Sequence, residues 1–237
     1  MCGRYALTDL KSLVKDNRFQ LEAFPPSLSP RYNIAPSQPV PAILNQAPRE
    51  LQFVRWGLIP SWAKDPTIGY RMINARAETI AEKPAFRRPL QRQRCLIPAD
   101  GFYEWQRLDT RKIPHWITLT SGEVFAFAGL WDTWTDPKTN TAMTSCTIIT
   151  TAPNRLLASI HDRMPVILPR ESEATWLSDG LSPEQACALL KPYSATQMKA
   201  SPVSTLVNSP SNDTPDVLKA VTPFASRIGA TRSHSSE

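Results

Sequence analysis

Cysteine, histidine and long apolar runs are scarce in this chain of 237 residues, and each scarcity removes a class of function. The four cysteines, Cys2, Cys95, Cys146 and Cys187, lie far apart, and no apolar signal segment opens the sequence. They are expected to be reduced thiols in a cytoplasmic, nucleoid-associated protein. Three histidines, His115, His161 and His234, with no Cys-x-x-Cys or His-Glu-x-x-His spacing, supply no zinc cage, so neither a metal nor another cofactor is expected. The longest apolar stretch, around Val124 to Trp131, is far short of the ~20 residues that span a membrane, which leaves no membrane role. No fixed-period repeat is visible.

Proline is what the chain has in excess: 23 of its 237 residues, close to twice the usual share of ~5%. Long uninterrupted helices are therefore not expected. With 27 Lys and Arg against 21 Asp and Glu the net charge is +6, a mild bias toward a polyanionic partner.

Along the chain, Thr8 is placed to cap a short helix reaching Phe19, with Leu10, Leu13 and Val14 on one face. Residues 24–41 read as a proline-punctuated loop around Arg31-Tyr32-Asn33-Ile34-Ala35-Pro36. Strands are expected at 40–44, 51–57, 95–98, 101–106, 115–120, 124–131 and 145–151. Short helices are expected at 153–159, 171–177 and 182–190. The stretch with Arg87, Arg88, Arg92 and Arg94 reads as a solvated face or a phosphate track. From about Ala225 the chain is Ser-rich and poor in large apolar residues, so a disordered tail is expected. The fold class that follows is α+β: a single domain with a mainly antiparallel β-sheet or open-barrel core and short peripheral helices.

The chemistry gathers at the N-terminus. If Met1 is removed, Cys2 carries an α-amine and a thiol on adjacent carbons, with ordinary pKa values of about 7.7–8.0 and about 8.5. Such a 1,2-aminothiol condenses with an aldehyde to an imine and closes through sulfur to a five-membered thiazolidine. Glu104 lies in the aromatic run Gly101-Phe102-Tyr103-Glu104-Trp105. Buried, it would be a general acid; on an outward face it would be an ordinary strand carboxylate. His161, in Ile160-His161-Asp162-Arg163-Met164-Pro165, is suited to proton transfer at neutral pH or to a structural role. Asn74 and Thr151 offer neutral hydrogen bonds, and Arg4, Arg76 and Arg163 offer phosphate clamps. Trp56 and Trp62 flank a proline-broken turn and serve either as core or as a stacking surface for bases.

Six segments in this order resemble the motif set of the SRAP-domain proteins, the abasic-site processing family. They are Met1-Cys2-Gly3-Arg4, Arg31 to Pro36, Trp56-Gly57 with Pro60 and Trp62, Asn74 to Thr79, Cys95 to Trp105, and Ile160 to Pro165. The resemblance covers roughly residues 2–222, leaving 223–237 as the tail. It implies a monomer that senses abasic sites in single-stranded DNA and crosslinks to them through Cys2 after Met1 removal, shielding the lesion in the DNA damage response. By the same resemblance Cys2, Asn74, Glu104 and His161 are the catalytic set, and Arg4, Asn33, Trp56, Trp62, Arg76, Thr151 and Arg163 contact DNA. Weak lyase action at the imine stage and self-removal of Met1, a peptidase-type hydrolase activity, belong to the same expectation.

Two readings from other classes compete. Class II glutamine amidotransferases also begin Met-Cys-Gly, with the α-amine as base for the thiol, but no Asn-Gly-Asp-type oxyanion motif and no synthetase domain accompany it here. A single-strand-binding module without a covalent step is the other, and it predicts that Cys2→Ala keeps every activity.

Overall fold

The computed structural model describes residues 2–15 and 19–221. In chain order the strands are β1 (Tyr5–Leu7), β2 (Arg31–Ile34), β3 (Pro39–Leu44), β4 (Leu51–Trp56), β5 (Asn74–Arg76), β6 (Arg94–Ala99), β7 (Gly101–Leu108), β8 (Arg111–Leu119), β9 (Phe125–Thr135), β10 (Ala142–Thr151), β11 (Met164–Pro165), β12 (Ile167–Leu168) and β13 (Met198–Pro202). The helices are α1 (Leu10–Lys15), α2 (Pro84–Arg92), α3 (Arg170–Leu177) and α4 (Pro183–Leu189). One antiparallel sheet has the order β13-β8-β7-β1-β2. The other runs β11-β10-β4-β3-β6-β9-β12, and because β9 also pairs with β10, the strands between them curl into a partial barrel. Among the named strands of the described residues, parallel pairing enters where β4 and β5 meet β10. The α+β, sheet-dominated single domain expected from the sequence is what forms. Among the described residues no helix is long and apolar enough to cross a membrane.

The core lies where the two sheets face each other, and aromatic rings join them. Tyr5 of β1 meets Trp56 of β4 at 5.5 Å and Phe127 of β9 at 5.7 Å, both edge-on. Phe102 of β7 reaches Phe127 at 6.0 Å. Such pairs add about 0.5–1.5 kcal/mol each beyond their burial.

The chain passes from barrel to flat sheet at Asp100, between β6 and β7. Its carboxylate accepts from the Thr8 backbone N–H at 2.5 Å, the Thr8 hydroxyl at 2.7 Å and the Asp9 N–H at 2.8 Å, while its own N–H donates to Ala6 O at 3.1 Å. Gly101 follows because a Cβ there would lie 2.3 Å from the Trp116 ring. This knot fixes β1, and with it the N-terminal residues. It also moves the helix cap: Thr8 is bound to Asp100, and Asp9 caps α1 by accepting from Ser12 N–H at 2.9 Å.

Residues 58–72 form an excursion closed at its base. Gly57 has φ 125°, and a Cβ on it would strike Gly69 O at 2.6 Å. Leu58 N–H donates to Met72 O at 3.1 Å, and the Trp56 indole N–H donates to Ile73 O at 2.9 Å. Trp56 is thereby fully buried, whereas Trp62 at the far end is 60% exposed.

Several expectations change. The 24–41 loop contains β2, and Asn74–Arg76 and Met198–Pro202 are strands that the sequence pattern did not mark. These strands are only three to five residues long, too short for alternation to register. The 153–159 helix reduces to one 3₁₀ turn, Leu157–Ser159, behind an Asn154 side chain that accepts from two backbone N–H groups. The arginine-rich stretch is largely helix α2, and Arg94 is not solvated at all. Its guanidinium donates to Leu90 O and Gln91 O at 2.8 Å, Trp176 O at 2.8 Å and Ser178 O at 2.5 Å. Those carbonyls end α2 and α3, so one buried cation serves two negative helix termini. The expected tail at 223–237 lies outside the described residues.

Replacing Arg94 tests this junction. Arg94→Met keeps the stem but takes the donor from four carbonyls, two of them in buried bonds, and should lower unfolding free energy in urea by about 3 kcal/mol or more. Arg94→Lys, with one ammonium for four divergent acceptors, should recover only part of it. A loss below about 1 kcal/mol for Arg94→Met would mean that these bonds do not hold the helices.

Candidate active site

Cys2 extends β1 toward the centre of the flat sheet. Tyr5 pairs with Phe102, and Tyr103 N–H donates to Arg4 O at 2.9 Å, so the first residues run alongside β7 toward Glu104. The Cys2 side chain is fully buried. Burial pushes its thiol well above the ordinary range, the Glu104 charge raises it further, and a bond from Arg4 N–H opposes both. The thiol is therefore protonated at neutral pH, unlike the partly ionised thiol expected for an exposed terminus, and sulfur needs a base before it can attack.

That base is adjacent. The period-two alternation of β7 puts Glu104 on the face of Phe102, turned into the protein, and only 2% of it is exposed. Its Oε1 has no hydrogen-bond partner among the described residues. Desolvation raises the carboxyl to about 7, with a further push from Asp162 and an opposing Trp105 backbone N–H. His161 Nε2 stands 3.9 Å from Glu104 Oε2. The Arg163 backbone N–H donates to His161 Nδ1 at 3.0 Å, and Asp162 Oδ1 lies 3.0 Å from the same nitrogen. Burial lowers the imidazole, and Arg107 adds to that. Near neutral pH the pair is thus a neutral histidine beside a carboxyl that both gives and takes a proton.

Asn74 lies on β5, its amide N–H donating to Ile148 O at 3.3 Å and its buried Oδ1 without a partner among the described residues. It lines a groove of about 360 Å³ together with Trp62, Met72, Arg76 and Phe86. Arg4, Glu104 and His161 line a second cleft, of about 400 Å³. Arg163 connects the two neighbourhoods. Its guanidinium grips Glu78 through two bonds of 2.7 and 2.9 Å and donates to Thr150 O at 2.6 Å, and Thr150 pairs with Arg76 across β10 and β5.

Not every residue singled out from the sequence reaches the surface. Asn33 is fully buried, its amide N–H groups serving Val207, Ser209 and Asn212 carbonyls and its Oδ1 accepting from Arg4 at 2.7 Å. Trp56 is core, and Thr151 is 5% exposed at the β10–β11 pairing. Arg4 is tied to Asn33 and Val207 O and lies 5.7 Å from the Trp105 ring. Arg76 is the exposed cation of the set and has no carboxylate in ion-pair contact among the described residues. Two neighbouring residues were not singled out from the sequence. Tyr70 is 61% exposed on the Trp62 excursion with the Arg55 guanidinium 5.4 Å from its ring. Glu78 was quoted only as part of a motif, although its place two residues after Arg76 was the available signal. Among the described residues no cluster of His, Cys, Asp or Glu is arranged to hold a metal.

Residues 1–210 match the profile of the family described as SOS response associated peptidase (SRAP). The abasic site processing protein YoqW of Bacillus subtilis (strain 168) is 50% identical over 226 residues, covering 93% of this chain and 100% of that protein. The abasic site processing protein HMCES of Xenopus tropicalis is 34% identical over 224 residues, covering 81% of this chain and 66% of that one. A solved structure of a protein from Bacteroides thetaiotaomicron superposes with a TM-score of 0.84 at 31% identity, over 93% of this chain and 100% of that one.

The raised Glu104 carboxyl makes a prediction about stability. A group whose folded pKa lies above its unfolded value favours the fold while protonated. That contribution is complete below the ordinary value of 4.5 and is lost as pH rises through about 7. Glu104→Gln, which does not titrate, should therefore gain on the wild type between pH 4.5 and 7.5, by an amount on the order of 3 kcal/mol. Parallel denaturation curves across that range measure it, and a pH-independent difference would mean that the carboxyl is not desolvated.

Proposed function

This chain belongs to the SOS response associated peptidase (SRAP) family, and on that premise we propose that it processes abasic sites by crosslinking itself to them in single-stranded DNA through Cys2, once Met1 has been removed. The observation that carries the proposal is the buried Glu104 carboxyl, raised to about 7, within electrostatic reach of the Cys2 thiol and 3.9 Å from His161 Nε2.

An abasic deoxyribose is mostly a closed hemiacetal. In the proposed sequence neutral Glu104 protonates the ring oxygen while the anomeric hydroxyl releases its proton to water, and the ring opens to the aldehyde. The Cys2 α-amine attacks the carbonyl carbon, and the carbinolamine loses one water to give the imine. Asn74 Oδ1 is the unpaired acceptor assigned to orient the amine. Sulfur then adds to the imine carbon. Its proton passes to the Glu104 carboxylate, which the histidine helps to hold, and on to the nitrogen, closing the thiazolidine. One carboxyl thus acts as acid and then as base, which a pKa near 7 suits. β-Elimination from the imine would account for weak lyase action.

Binding divides by chemistry. Trp62, and not Trp56, is the indole available to stack on a base, and a single strand offers unpaired bases at no cost in base pairing. Arg76 is free to take a phosphate. Arg4 and Arg163 are already bonded, so Arg163 reaches a phosphate only by giving up Glu78. A monomer acting at the nucleoid fits this reading, as does a family label of peptidase if the same Cys2 removes Met1.

Separating the two nucleophiles tests the proposal. After Met1 removal Cys2→Ser keeps the α-amine but offers a hydroxyl, which closes to a less stable oxazolidine. The variant should be trapped on abasic DNA only with borohydride present, whereas the wild-type adduct should survive denaturing heat without reductant. An equally heat-stable adduct from Cys2→Ser, unaided, would rule out the thiazolidine.

A further inference from the structure

The β7–β8 hairpin carries a charge pattern that folding alone disfavours. Arg107 and Lys112 are direct cross-strand partners, a relation that sets their Cβ atoms about 4.5–5.5 Å apart and makes like charges repel. Both are exposed, and among the described residues neither has a carboxylate in ion-pair contact. Asp109 sits at the turn between them and Asp162 beside His161, yet each leaves the two cations unpaired. Both cations line the cleft that holds Glu104 and His161. Arg107 also lies close enough to His161 for its charge to act on the imidazole. A solvated strand face gains nothing from opposed cations, whereas a bound anion between them removes the repulsion and adds two charge-assisted contacts.

The groove with Trp62 and Asn74 has its own exposed cation, Arg76. A sugar reacting between these two clefts has a phosphate on each side. We propose that Arg107 and Lys112 form a second phosphate clamp, which takes the DNA backbone on one flank of the abasic site while Arg76 serves the other. This rests on the crosslinking reading above and adds residues and a strand path to it. Arg107 supplies a planar fork and Lys112 a point charge, on two paired strands that hold them at fixed spacing. The clamp reads no base, so it gives register along the strand and no sequence preference.

The test uses the full chain with Met1 removed and single-stranded oligonucleotides bearing one abasic site. Crosslinking rate is followed against DNA concentration at several salt concentrations, for the wild type, for Arg107→Gln with Lys112→Gln, and for the charge-conserving Arg107→Lys with Lys112→Arg. The neutral double variant should need more DNA for half-saturation, and its salt slope should be smaller by about 1.4, about 0.7 for each phosphate contact. The charge-conserving pair should keep the wild-type slope. Oligonucleotides trimmed from one end should make the wild type resemble the neutral variant, and trimming from the other end should not. A wild-type slope in the neutral variant, or a loss confined to the rate at saturating DNA, would overturn the clamp. Neither result would touch the crosslink itself, which the wild type reports in the same experiment.

Discussion

Holding a carboxyl out of water without a full set of partners is unfavourable, and the architecture around Glu104 is what makes it persist. Position 104 falls on the inward face of β7, in a sheet whose neighbours β1 and β8 are both antiparallel to it. The desolvation that raises Glu104 also raises the Cys2 thiol, and the Glu104 charge disfavours ionisation of that thiol further. A free cysteine at a mobile terminus would need no such arrangement to react with an aldehyde.

Two carboxylates remote from the chemistry keep the terminus in position. Asp100 binds the start of α1 at the crossing from barrel to flat sheet. Asp213 accepts from the Tyr32 and Asn33 backbone N–H groups at 2.6 and 2.8 Å and pairs with Arg31. Through Asn33 and Arg4 that second carboxylate ties the N-terminal strand to the arm around Val207, and the Tyr103 hydroxyl donates to Tyr32 O at 2.6 Å from the other side. Trp105 completes the contact by donating to Asn208 Oδ1 at 2.8 Å. Residues near both ends of the described chain therefore meet beside Cys2, so the placing of that residue, although second in the chain, depends on the last third of it.

The candidate site was more legible in the sequence than the framework. Cys2, Glu104, His161 and Asn74 stand in short motifs whose residue types carry their own rationale, and period-two alternation from Phe102 was enough to allow a buried Glu104 without deciding it. The decision comes from β1 and β8 packing on either side, which is a non-local fact. Trp56 and Trp62 looked alike six residues apart; Gly57, with its left-handed φ, turns one into the core and sends the other out. Arg94 read as one of four surface arginines because its acceptors are carbonyls from two helices, one of them about eighty residues away. Asn33 lay in a conspicuous polar motif and proved to be a buried tie, since buried amides and surface amides have the same one-letter code.

The central claim is that one condensation at Cys2, from a chain lacking Met1, accounts for the lasting bond to DNA. Intact-mass spectrometry of the purified chain, alone and after mixing with a single-stranded oligonucleotide carrying one abasic site, tests it most directly. The account predicts a chain that begins at Cys2, an adduct mass equal to the two partners less one water, and a modified peptide containing Cys2. An adduct formed equally well by chain that retains Met1, or one mapped to a lysine, would contradict it.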